Sequence, residues 1–351
     1  MVDTVIADDR EMTTVINAGF AKVLTVRATK LGRPGPTPTS FRTAVRSACL
    51  VASLPLFLEL GFVAIVPGAA LHTVRAVTWV LTMSGLDLFA ILLGWRTWTL
   101  LGRAGPKIDD LLQNAGDRVV LATWFRGTLS LGRQLVCSAA SAVGACVLLR
   151  LTAPAIAQNL EIGPVSYCAV ALTGLIAGNC LYWLVVMSEF SRRLLRRPGL
   201  AVVWHSPAST PGLSLLSDAF ASLTAAALVA FLAAEILTLH ALSYGHSAVL
   251  TVISNIMPVL AGVGALLAGI LPHIWLYLAV RDARRSALDK LRPLIDNEPP
   301  GTGENAEQLH ARIELYRLVE TSPGLPFNAA SMVQYAAAVL GTLLAFFLER
   351  H

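Results

Sequence analysis

Charge is what this chain has least of. Only 14% of its residues are Asp, Glu, Lys or Arg, against about 25% in a soluble domain. Lysine is scarcer still, with 4 lysines beside 23 arginines. Such a bias is typical of GC-rich bacterial genomes. The net charge of +5 is no nucleic-acid signal, because the basic residues sit in the gaps between apolar blocks. Catalytic signatures are missing too: there is no HExxH, no phosphate-binding glycine loop and no nucleophile elbow. The five cysteines, Cys49, Cys137, Cys146, Cys168 and Cys180, form no CxxC and no metal-type spacing with histidine. They read as small apolar packing residues. The seven histidines are scattered; His205, in Trp204-His205-Ser206-Pro207, reads as a turn residue. These absences argue against an enzyme, a bound metal or another cofactor. The first apolar block begins only near residue 48, too far in for a secretory signal.

What the chain does have is apolar sequence in long blocks. Hydrophobic residues make up 55%, and the mean hydropathy is +0.64. Blocks long enough to cross a bilayer fall at about Ala48–Val66, Val77–Trp95, Leu135–Leu151, Val165–Met187, Ala219–Leu239, Pro258–Val280 and Phe327–Phe347. The expected fold class is an all-α polytopic membrane protein with seven spans. The sixth block has an apolar lead-in, Ala248–Met257, and with it runs to about 50 Å as one helix. That exceeds a hydrocarbon core of about 30 Å, so Pro258 is taken as the start of the span. Helix-forming sequence continues past Val280 through Arg281–Arg292, which extends the span beyond the bilayer.

The N-terminal segment, 1–40, precedes the seven-span domain, 41–351. Within it, Val15, Ile16, Phe20, Val23, Leu24 and Val26 suit one helical face, and Arg33–Ser40 is a proline-rich linker. That helix either lies on the membrane surface or packs on the ends of other helices. Further charged segments at 96–133, 188–218 and 281–320 are expected to hold anchor helices. In the first of these, Ile108, Leu111, Leu112, Val119, Val120 and Trp124 suggest a single amphipathic face. Cytoplasmic loops hold the excess of Lys and Arg. With the N-terminus inside, 24 basic residues fall inside and 3 outside (Arg75, Arg150 and Arg350). The expected orientation is N-terminus in, C-terminus out, in a bacterial inner membrane.

Two constellations bear on function. Glu59, Asp87 and Glu235 lie within spans, where charge is costly and faces a cavity or a partner. They fit a cation or proton pathway or a ligand pocket, and equally a structural role through pairing with Arg75 or Arg150 or through protonation in a helix contact. His273, beside Pro272, is placed to join the inner half of such a cavity. In the last span, Asn328, Ser331, Tyr335 and Thr342 recur on one side, with Gln334 bordering them and Phe346 and Phe347 at the far end. Such a stripe suits helix packing, or a pore lining with a phenylalanine constriction.

This plan resembles the insect odorant and gustatory receptor type of ligand-gated cation channel and its prokaryotic relatives. The resemblance rests on seven spans, an inside N-terminus and an outside C-terminus. Long cytoplasmic segments after spans two, four and six, and a charged helix (Ala306–Glu320) before the last span, complete it. Gustatory receptors carry Thr-Tyr, five apolar residues and Gln-Phe in the last span. Here Gln334-Tyr335 is followed by five apolar residues, Ala336–Leu340, and then Gly341-Thr342, so only the tyrosine matches. The resemblance implies a homotetramer joined through cytoplasmic helix ends, a pore lined by the last span, and a small-molecule ligand. A secondary transporter using the intramembrane acids, and a non-transporting scaffold, remain as alternatives.

Overall fold

A computed structural model describes residues 11–29, 40–65, 73–156, 164–197, 200–203, 205–242, 248–296 and 304–322. Every regular element among them is helical, apart from one isolated bridge between Leu112 and Leu200. In chain order the helices are α1 (Glu11–Lys22), α2 (Leu24–Ala28), α3 (Phe41–Ala52), α4 (Leu54–Ile65), α5 (Thr73–Leu111) and α6 (Ala115–Thr128). They continue with α7 (Leu131–Ile156), α8 (Pro164–Leu195), α9 (Pro211–Leu242), α10 (Ala248–Asp296) and α11 (Glu304–Thr321).

Four of these helices are long and apolar enough to cross a membrane: Trp79–Leu111, Leu131–Leu151, Val165–Leu195 and Pro211–Ala230. Their burial differs sharply. Within the most apolar window of each helix, 78% is buried in α9 but only 22% in α7. So α9 is the hub, packed on α5, α8 and α10, while α7 sits at the rim and packs chiefly on α8. Small side chains explain the hub. Ala219, Ala221, Ala225, Ala226 and Ala227 are all buried on α9 and let neighbouring backbones come close. Ser222 bridges to α5 by donating its hydroxyl to the Leu93 carbonyl at 3.1 Å.

The first apolar block is two helices. Ser53 caps α3, donating its hydroxyl to the Cys49 carbonyl at 2.6 Å, and α4 restarts at Leu54 ahead of Pro55, which has no N–H to continue the ladder. Conversely, Pro258 does not begin a helix. Ala248–Met257 and Pro258–Val280 belong to the single 49-residue α10, which runs on to Asp296. At 1.5 Å per residue that is about 74 Å, more than twice a hydrocarbon core. The 188–218 segment supplies the end of α8, a 3-10 turn at Pro207–Ser209 and the start of α9; the described residues there hold no longer helix of their own.

The single amphipathic face expected across 96–133 is also corrected. Ile108, Leu111 and Leu112 are buried, but Val119 and Val120 are exposed, at 38% and 50%. The chain leaves the helix at Leu112–Asn114, where the Asn114 side chain accepts from the Gly116 amide at 3.0 Å and opens a new helix. That restart resets the phase, so α6 buries Leu121, Ala122, Phe125 and Thr128 instead.

Candidate functional site

The N-terminal helix packs on the end of α5, not away from the bundle. Met12, Val15 and Ile16 are at most 1% exposed. Two glycines let α1 approach. A Cβ at Gly19 would lie 2.6 Å from the Trp98 ring, and one at Gly105 would lie 3.1 Å from the Thr13 Cα. The Asp109 carboxylate accepts from the Met12 and Thr13 amides, each at 3.0 Å, and from the Thr13 hydroxyl at 2.7 Å. A negative group there satisfies amides that the helix leaves unpaired and opposes its positive end. Farther on, Gln134 Nε2 donates to the Lys22 carbonyl at 3.4 Å, tying α1 to α7.

At this end of the bundle lies an aromatic cluster. Trp98 and Trp183 meet edge to face at 4.8 Å between ring centroids. Phe125 meets Phe190 at 5.4 Å, and Trp124 stacks on Phe190 at 6.4 Å. Arginines cap it: the Arg193 guanidinium lies 4.7 Å from the Trp124 ring centre and that of Arg196 lies 5.6 Å from Trp275. The Arg197–Asp117 ion pair, at 2.8 Å, joins the residues after α8 to α6. Six helices, α1, α5, α6, α7, α8 and α10, thus meet at the basic end.

Asp87 is the residue that packing does not explain. It lies on α5 between two apolar clusters. One turn earlier is Met83, packed with Trp79, Val80, Val170 and Ala233. One turn later are Ala90 and Ile91, in the larger core. The carboxyl is 2% exposed. Its Oδ2 accepts from the Thr173 hydroxyl of α8 at 3.1 Å, while Oδ1 is buried with no hydrogen-bond partner. Thr173 also sits 3.2 Å from the Ala169 carbonyl, so its one proton has two acceptors. A carboxyl buried this way, held by one hydroxyl, is costly in its charged form.

A second polar seam separates α7 from α8. Asn179 Nδ2 donates to Gln134 Oε1 at 3.4 Å, whereas Asn179 Oδ1 and the Ser138 hydroxyl are buried without partners. The two helices touch through Gly174 and Gly178. A Cβ on Gly174 would fall 2.6 Å from the Ala142 Cα, and one on Gly178 would fall 2.6 Å from the Cys137 carbonyl oxygen. The spacing of four is the membrane signature of close helix contact, a signal present in the sequence and passed over there.

His273 belongs to the α9–α10 seam. It is buried, with its Nδ1 3.4 Å from the Ser217 hydroxyl and its ring edge-on to Phe220 at 6.0 Å. The structure therefore places Asp87 and His273 in different seams. Glu59 lies on α4 and Glu235 on α9, but their side chains lie outside the described residues, as do Asn328, Ser331, Gln334, Tyr335, Thr342 and Phe346. The five cysteines are free, and only Cys180 is buried; Cys49, Cys137 and Cys168 occupy outward faces and do not pack in the core. Among the described residues, no three His, Cys, Asp or Glu side chains gather as a metal site requires.

The basic end of the fold closes with α10 and α11. Helix α11 packs along α10, buries Val319, and carries Arg312, whose guanidinium donates to the Leu294 carbonyl at 3.1 Å. No family model, curated protein or solved structure matches the chain.

Proposed function

We propose that the chain is the subunit of an oligomeric cation channel, ligand-gated and tetrameric, in a bacterial inner membrane. It would follow the seven-span plan of the insect odorant and gustatory receptors. The observation that carries the reading is the pair α10–α11. Helix α10 passes without a break from apolar sequence into Arg281–Asp296, and α11 packs back on it. The apolar Phe327–Phe347 stretch follows within six residues of Thr321. That is the arrangement expected where extramembrane helix ends join subunits and deliver a last span to a common axis. Asn328, Ser331, Gln334, Tyr335 and Thr342 would line the conduction path, with Phe346 in its constriction. Glu59 and Glu235 would border a ligand pocket in the outer half of the bundle.

Purified protein in planar bilayers should then carry a cation current, and native mass spectrometry should give an oligomer. A monomer that passes no current across a panel of ligands and voltages sinks the proposal.

A second reading, a secondary transporter coupled to protons, is favoured by one observation: Asp87 is buried between α5 and α8 with an unpartnered Oδ1. Proton-coupled uptake that Asp87→Asn abolishes would select it. In the channel reading Asp87 serves helix contact, and the same substitution leaves conduction intact.

A further inference from the structure

We propose that the outer face of α6 is a docking surface for anionic phospholipid, with Val119, Val120 and Thr123 in the interfacial layer and Arg126 and Arg133 on lipid phosphates. The argument begins with what α6 turns inward. Its core face is Leu121, Ala122, Phe125 and Thr128. Its other charged groups are committed to the protein. Asp117 pairs with Arg197 at 2.8 Å, and the Arg118 Nε–H donates to the Leu112 carbonyl at 2.7 Å. What remains exposed on the helix is Ala115, Gly116, Val119, Val120, Thr123, Arg126 and Gly127. That face has one cation and no anion, and a helix face turned to water is ordinarily rich in charge.

Two observations name the occupant. The first is continuity. Helix α7 starts three residues after α6 ends, and its exposed side is Leu135, Val136, Val143, Val147 and Leu151. There is no charged residue between Arg133 and Arg150, which is a lipid-facing composition. So the end of α6 lies where that face begins. The second is charge. Arg126 and Arg133 flank the junction, both are exposed, and neither makes an ion pair among the described residues. A short apolar helix face bordered by exposed guanidinium groups is what an anionic headgroup layer binds.

The test uses the full chain in nanodiscs of phosphatidylcholine, with or without phosphatidylglycerol. A nitroxide is placed at Val120→Cys in a background lacking the five native cysteines. The label should be shielded from a water-soluble nickel chelate in discs containing phosphatidylglycerol, and Arg126→Gln with Arg133→Gln should remove that shielding. Native mass spectrometry of the otherwise unaltered chain gives a second readout that needs no label. The double substitution should weaken phosphatidylglycerol retention about thirtyfold, for two basic side chains at the surface. A label open to the chelate in both kinds of disc overturns the proposal and leaves the face to a second copy or a soluble partner. Equal shielding in phosphatidylcholine alone, or phosphatidylglycerol retention unchanged by the double substitution, overturns it as well.

Discussion

Two neighbouring aspartates on α5 show how much a single side chain depends on its surroundings. Asp110 is exposed and faces Lys107 at 3.7 Å; Asp109 is 3% exposed and caps α1 from 97 residues away. Nothing in the sequence Ile108-Asp109-Asp110-Leu111 separates the two, because the partner of Asp109 is set by tertiary packing. Asp109→Ala should cost about 2 kcal/mol, near the upper end for a lost helix cap, and should release α1. Thermal unfolding in detergent and proteolysis of the first 29 residues would report it; an unchanged unfolding midpoint would contradict the capping account. Asp87, by contrast, is legible from sequence alone, since a carboxyl inside an apolar block is conspicuous. Its partner Thr173 is not, because the sequence does not say which helix faces which. Asp87→Asn keeps the shape and one acceptor oxygen, so the folded state should change by only about 1 kcal/mol, as read by the same unfolding measurement. A protein that no longer folds would mean that the carboxyl itself holds α5 to α8.

Among the elements, the blocks that became whole helices were those with clear punctuation. Helix α8 starts at Pro164, where a proline's missing N–H costs nothing. Where punctuation misled, the reason is local. Pro258 falls inside α10, and neighbouring helices can re-satisfy the backbone groups a proline frees. Helix phase across Leu112–Asn114 was not legible, because a three-residue break can restart a helix at any rotation. The close contact of α7 on α8 depends on Gly174 and Gly178. Gly178→Leu forces a side chain into the Cys137 carbonyl and the Ser141 Cβ, which a built Cβ already approaches at 2.6 and 2.7 Å. Overpacking of this kind costs about 1–3 kcal/mol, so the unfolding midpoint should fall well below that of the parent. Gly144→Leu, at a position with open space around it, should leave the midpoint unmoved; equal losses at both glycines would refute the contact.

For the whole molecule, composition and block length carry the class: an all-helical chain with several helices able to cross a membrane. Orientation rests on 24 basic residues against 3 and is a separate expectation. A reporter fused after His351 should be active only on the outer side of the membrane, and activity on the inner side would reverse the topology. The channel proposal concerns how copies of the chain meet. The measurement closest to it is current through planar bilayers from a cysteine-free protein carrying Ser331→Cys. The account predicts a cation current that a charged thiol reagent blocks, because that position faces the shared axis. A current indifferent to the reagent, or none under any ligand or voltage, would contradict it.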